Sequence, residues 1–129
     1  MSDTDSAAPE KNDSAAPAKF EVSTSRQFPQ WLAEQRVSLA FTTYQAGKLF
    51  LIGLNPQGRL SLFERTFSRC MGLAGDGQTL WMSTLYQMWR LENSFPPGQT
   101  TDGYDRLYIP RTSYTTGDLD IHDIGIGAD

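Results

Sequence analysis

Near the C-terminal end of this sequence, residues able to do acid–base or metal chemistry alternate: Asp118, Asp120 and His122, with Asp123 alongside. On an extended strand, side chains two apart share a face. The pattern therefore predicts two carboxylates and an imidazole on one surface. Such a group can bind a divalent cation or share a proton. One strand is an incomplete ligand set for a metal, so further donors would have to come from elsewhere in the fold. A polar hairpin entry fits the same residues: Asp caps turns, and His122 makes an ordinary hydrogen bond. Apart from that cation, no cofactor is evident. A second pair of candidates is Tyr44-Gln45 and Tyr86-Gln87. Each ends a strand-like run, where a phenol and an amide can hydrogen-bond a sugar, a peptide or another polar ligand. Equal placement also fits a structural role, the Tyr for packing and the Gln for the turn.

Other patterns carry no chemistry. Gly47-Lys48 is no phosphate loop, because Thr42 stands where the first glycine belongs and Leu49 follows the lysine. Gly72-Leu73-Ala74-Gly75-Asp76-Gly77 lacks the dinucleotide glycine order and precedes a strand, so it reads as a turn. Cys70 is the one cysteine and His122 the one histidine. A thiolate nucleophile would need a lowered pKa and that base beside it, and a buried small hydrophobe is the simpler reading. Trp81 and Trp89 alternate with polar residues and read as core, and Arg90-Leu91-Glu92 as cross-strand charge pairing.

The elements that position these residues are short. The run Asp5-Ser6-Ala7-Ala8-Pro9-Glu10-Lys11 is echoed by Asp13-Ser14-Ala15-Ala16-Pro17-Ala18-Lys19. Such a stretch has little to bury against its ordering entropy. Residues 1–27 therefore read as a disordered acidic Ala/Ser/Pro tail and linker. Phe28–Gln35 reads as a short helix with Pro29 in its first turn and Trp31 and Leu32 pinning it down. From Val37 the pattern is short β-runs between turn signals. Leu39–Tyr44, Leu49–Leu54 and Leu60–Phe63 are strands, with turns at Gln45–Lys48 and Asn55-Pro56-Gln57-Gly58.

The same grammar then recurs. Leu80–Gln87 resembles Leu39–Gln45, Arg106–Ile109 resembles Arg59–Leu62, and Ile124–Asp129 resembles Met71–Asp76. The extra length between echoes falls partly in a Pro/Gly-rich loop from Phe95 to Gly103. A repeat of ~40–45 residues with four short strands is the signature of a propeller blade. The expected fold class is all-β, the N-terminal part of a β-propeller of about two blades, preceded by the tail and the helix. Its blade-like units are 37–67 and 69–110, and a third opens at 119. On this reading the first blade lacks its innermost strand, and the chain is expected to be a truncated or fragmentary form. A small two-sheet β-domain that closes as a homodimer is the alternative.

The residues Phe41–Leu49, Arg69-Cys70-Met71-Gly72-Leu73, Leu80-Trp81-Met82 and Thr116–Asp123 resemble, in order and spacing, an uncharacterised bacterial family of conserved hypothetical proteins, the domain of unknown function 4915. The resemblance runs from about Phe28 to Ile126. It implies a propeller-like fold in a much longer chain and brings no established reaction with it.

Bulk composition narrows the function. The formal net charge is −4, which disfavours a general nucleic-acid role, since phosphate binding leans on Lys and Arg. A single cysteine excludes an intrachain disulfide and a Cys-rich zinc site. There is no apolar leader and no membrane-length apolar run, so the expected location is the cytoplasm. The expected function is a non-catalytic propeller module binding a protein, peptide or glycan, with the loop at 94–105 as a recognition element. The alternative is a metal-dependent propeller hydrolase or isomerase acting on a small polar substrate, with Asp118, Asp120 and His122 as partial ligands or acid–base groups.

Overall fold

The structure is a computed structural model that describes residues 21–128. The stretch read as disordered lies, through residue 20, outside the described residues. Helix α1 spans Gln27–Gln35. Pro29 sits in its first turn, where a missing N–H goes unnoticed. Arg36 ends it in the left-handed region, φ +54°, and the amides of Arg36 and Val37 close on the carbonyls of Ala33 and Leu32. Leu32 is buried and fixes the helix to the protein. Trp31 is not the pin its sequence implied. It is exposed and stacks on Phe28, with ring centres 6.3 Å apart.

Seven strands follow: β1 (Leu39–Thr43), β2 (Lys48–Leu54), β3 (Leu60–Thr66), β4 (Leu73–Gly75), β5 (Thr79–Ser83), β6 (Gln87–Asn93) and β7 (Tyr108–Thr115). They form two antiparallel meanders, β1-β2-β3 and β4-β5-β6-β7, so the described fold is all-β with one short helix. Set beside the expected units 37–67 and 69–110, the three-stranded first sheet and four-stranded second sheet differ in three ways. Leu80–Gln87 is not one strand: β5 stops at Ser83, and the amide and hydroxyl of Thr84 both reach the Gln87 carbonyl, which reverses the chain. The second sheet runs on to Thr115 rather than ending at 110. Residues 116–128 contain no strand, so the third unit has no strand among the described residues.

The two sheets pack face to face. Leu49 of the first sheet and Leu80, Met82 and Leu91 of the second form one buried cluster with Cys70, and Leu51, Phe67, Leu73, Trp89 and Tyr108 pack around it. Each large apolar side chain buried this way contributes about 1.5–3 kcal/mol. β5 is buried at almost every position, because strands flank it on both sides and its Leu80 and Met82 face packs on the first sheet. Trp89 joins this core. Trp81, one place along from Met82, points to the other face of the second sheet and stacks on Tyr114. Arg90 and Glu92 do not pair across strands. They sit two apart on β6, and their charges meet at 2.9 Å on that second face. Among the described residues no helix is long and apolar enough to cross a membrane.

Candidate functional site

The β1–β2 and β5–β6 turns lie at the same end of the sheets. Gly47 makes the first turn possible: its φ is +64°, and a side chain there would meet the Phe67 carbonyl. The Phe67 amide bonds the Gly47 carbonyl, and the Leu85 amide bonds the Ser68 carbonyl. The chain leaving the first sheet is therefore tied to both turns. Thr42 donates its hydroxyl to the Met71 carbonyl at 2.6 Å. Beyond β7, Ser83 donates to the Ile121 carbonyl at 2.9 Å. These hydroxyls bring two chain entries, 69–72 and 120–124, beside the first turn.

Between them lies a hollow of about 360 Å³ lined by Thr42, Tyr44, Met71 and His122. Tyr44 is held from one side by the guanidinium of Arg69, 5.7 Å from its ring centre. His122 Nε2 stands 3.6 Å from an Asp120 carboxylate oxygen, both side chains well exposed. An exposed pair at that distance contributes little to stability, so it leaves the imidazole available to a ligand.

The hollow brings together Tyr44 and His122, one from each predicted group. The other candidates stand elsewhere. Gln45 is exposed in the first turn, and Tyr86 is exposed in the second. Gln87 opens β6 and spends its amide on the Ser113 hydroxyl at 3.1 Å, which is the structural role. Asp118, Asp120 and His122 do not share a strand face. Gly117 (φ +78°) and Asp120 (φ +55°) both adopt left-handed backbone, which breaks the extended alternation. Asp123 accepts the Ile124 amide at 2.9 Å. Among the described residues, no group of three or more His, Cys, Asp or Glu is arranged to hold a metal ion. Cys70 is fully buried, and burial pushes its thiol pKa up, which is the wrong direction for a nucleophile.

Sequence reasoning missed Thr42, Met71 and Arg69 as site residues. The long loop at 94–107 lies at the opposite end of the sheets from the hollow. It is also tied down: Tyr104 and Ser61 share a hydrogen bond of 2.9 Å, and Arg106 and Tyr108 both donate to the Gly77 carbonyl at 2.8 Å. A second hollow, of about 510 Å³, is lined by Glu92, Asn93, Ser94, Arg111 and Thr112 and includes none of the predicted residues.

No curated protein and no solved structure matches the chain. Residues 26–129 match the family described as Domain of unknown function (DUF4915), and the chain belongs to that family.

Proposed function

We propose that this protein is a non-catalytic binding module, the opening part of a propeller-like stack of sheets, whose Tyr44–His122 hollow takes a polar ligand, a peptide or a glycan. One observation carries the reading. An aromatic ring already braced by a guanidinium lines one hollow together with an imidazole, beside Thr42 and Met71. Aromatic and imidazole faces stack on sugar rings and peptide groups, and their polar edges hydrogen-bond. The metal-dependent hydrolase or isomerase reading has only the exposed His122–Asp120 pair behind it. A catalytic zinc site takes three protein donors, and among the described residues no group of three or more His, Cys, Asp or Glu is arranged to supply them.

The test is a screen of the chain on glycan and peptide arrays, followed by titration of the best binder. Tyr44→Ala and His122→Ala are expected to weaken binding at least about tenfold, roughly 1.4 kcal/mol. Neither should change the melting temperature. Tyr86→Ala, an exposed tyrosine in the equivalent turn, should leave binding intact. Binding that survives both cavity substitutions places the site elsewhere. An array with no binder contradicts the proposal.

A further inference from the structure

The two sheets repeat one another in their hydrogen bonds as well as in their strand order. Asn55 follows β2 and accepts the amides of Gln57 and Arg59 on its side-chain oxygen, both at 2.9 Å. Asn93 ends β6 and accepts the amides of Phe95 and Leu107 in the same way, at 3.2 and 2.9 Å. The Phe67 amide, just after β3, bonds the Gly47 carbonyl at 2.8 Å, and the Thr116 amide, just after β7, bonds the Tyr86 carbonyl at 2.8 Å. Arg69 and Asp120 then turn the chain with the same left-handed backbone, φ +53° and +55°. Finally the Thr42 hydroxyl holds the chain that enters the second sheet, and the Ser83 hydroxyl holds the chain at Ile121. The left-handed residues pair Arg69 with Asp120, which brings Ile124-Gly125-Ile126 level with the strand Leu73-Ala74-Gly75.

The faces correspond too. Thr42 stands directly opposite Leu49, and Ser83 directly opposite Met88. Leu49, on the Thr42 face, is buried under the second sheet. The matching Ser83 face of the second sheet carries Trp81, Met88, Arg90 and Tyr114. Arg90 lies 5.2 Å over the Trp81 ring, and Tyr114 is 51% exposed. One face of this build is covered by a sheet. On the matching face of the second sheet Ser83 is buried, Trp81, Met88 and Arg90 are half-buried and Tyr114 is exposed, and the Ser83 hydroxyl already holds an entering chain.

We infer that the Trp81–Met88–Arg90–Tyr114 face is the seat of a third antiparallel sheet, entered through Ile121–Ile126 as the second sheet is entered through Cys70–Gly75. The occupant is a sheet of the same build and presents an apolar face, as β4–β7 presents Leu80, Met82 and Leu91 to the first sheet. The inference rests on the repeat alone. Ligand capture at the Tyr44–His122 hollow can fail with the seat intact, and the seat can fail with ligand capture intact.

The test uses the whole chain and a version continued after Ile126 by a second copy of residues 76–128. In both, Tyr114→Cys is introduced into the original sheet. Cys70 is fully buried and stays silent to a thiol reagent under native conditions. The engineered thiol is expected to react at least about tenfold more slowly in the extended chain, since access then waits on opening. The same substitution in the appended sheet should react fast. Equal rates in the original sheet overturn the inference, as does an appended segment that adds no β-structure by circular dichroism. A thiol in the unextended chain that becomes protected as concentration rises also overturns it, and makes a second copy of this chain the occupant.

Discussion

Asp76 turns the chain between β4 and β5 with one carboxylate oxygen, which accepts the amides of Gln78 and Thr79 at 3.0 and 2.9 Å. Those two amides hold its pKa below the ordinary carboxylate value. A folded pKa below the unfolded one contributes stability above the unfolded value, near pH 3.9. That contribution is lost as pH falls through the folded pKa. Urea midpoints taken from pH 7 down to pH 3 should therefore fall less steeply for Asp76→Asn than for the parent, because the amide keeps the turn but does not titrate. Parallel acid limbs would contradict the assignment. The Asp turn was legible in the sequence, since Asp before Gly is turn chemistry. The fate of Asp118, Asp120 and His122 was not. Alternation is a property of extended chain, and a left-handed Asp120 leaves no mark in the residue types around it.

At the scale of elements, the chain after β7 passes close to Gly72. A side chain at Gly72 would sit 3.0 Å from the Ile124 side chain and 3.2 Å from the Asp123 backbone. Gly72 also donates its amide to the buried Ser83 hydroxyl at 2.9 Å. Gly72→Ala should lower stability by about 1–3 kcal/mol through overpacking, read as a fall in the urea midpoint at unchanged slope. An unchanged midpoint would mean that residues 123–124 do not press on this entry. Most strands were legible, because apolar runs between Gly, Pro and Asn turns admit few other readings, but β4, Leu73–Gly75, lies inside a glycine-rich stretch that reads as a turn. Their grouping was legible only through the echoes. The break at Thr84 was not, because Leu80–Gln87 has an unbroken β-type composition and the reversal is made by Thr84 bonding Gln87.

For the whole molecule, the core cluster spans both sheets, so neither sheet covers its inner face alone. The loop at 94–107 adds a second tie through Tyr104 and Ser61. Composition marked that Pro/Gly-rich stretch as a recognition loop but could not say that it docks on the first sheet, because its partner Ser61 lies far back in the chain. The hollow at the other end exists because two hydroxyls, on Thr42 and Ser83, each hold the next chain entry in place. That handover is the central claim, and backbone order parameters by NMR in Thr42→Val and Ser83→Ala test it most directly. Thr42→Val should loosen residues 69–71 and leave 121–124 as rigid as in the parent. Ser83→Ala should drop residues 121–124 below an order parameter of about 0.6, the range of flexible backbone. It should also lower stability by roughly 1–3 kcal/mol, because the buried Gly72 amide loses its acceptor. Order parameters at 121–124 that do not move when Ser83 loses its hydroxyl would contradict the account.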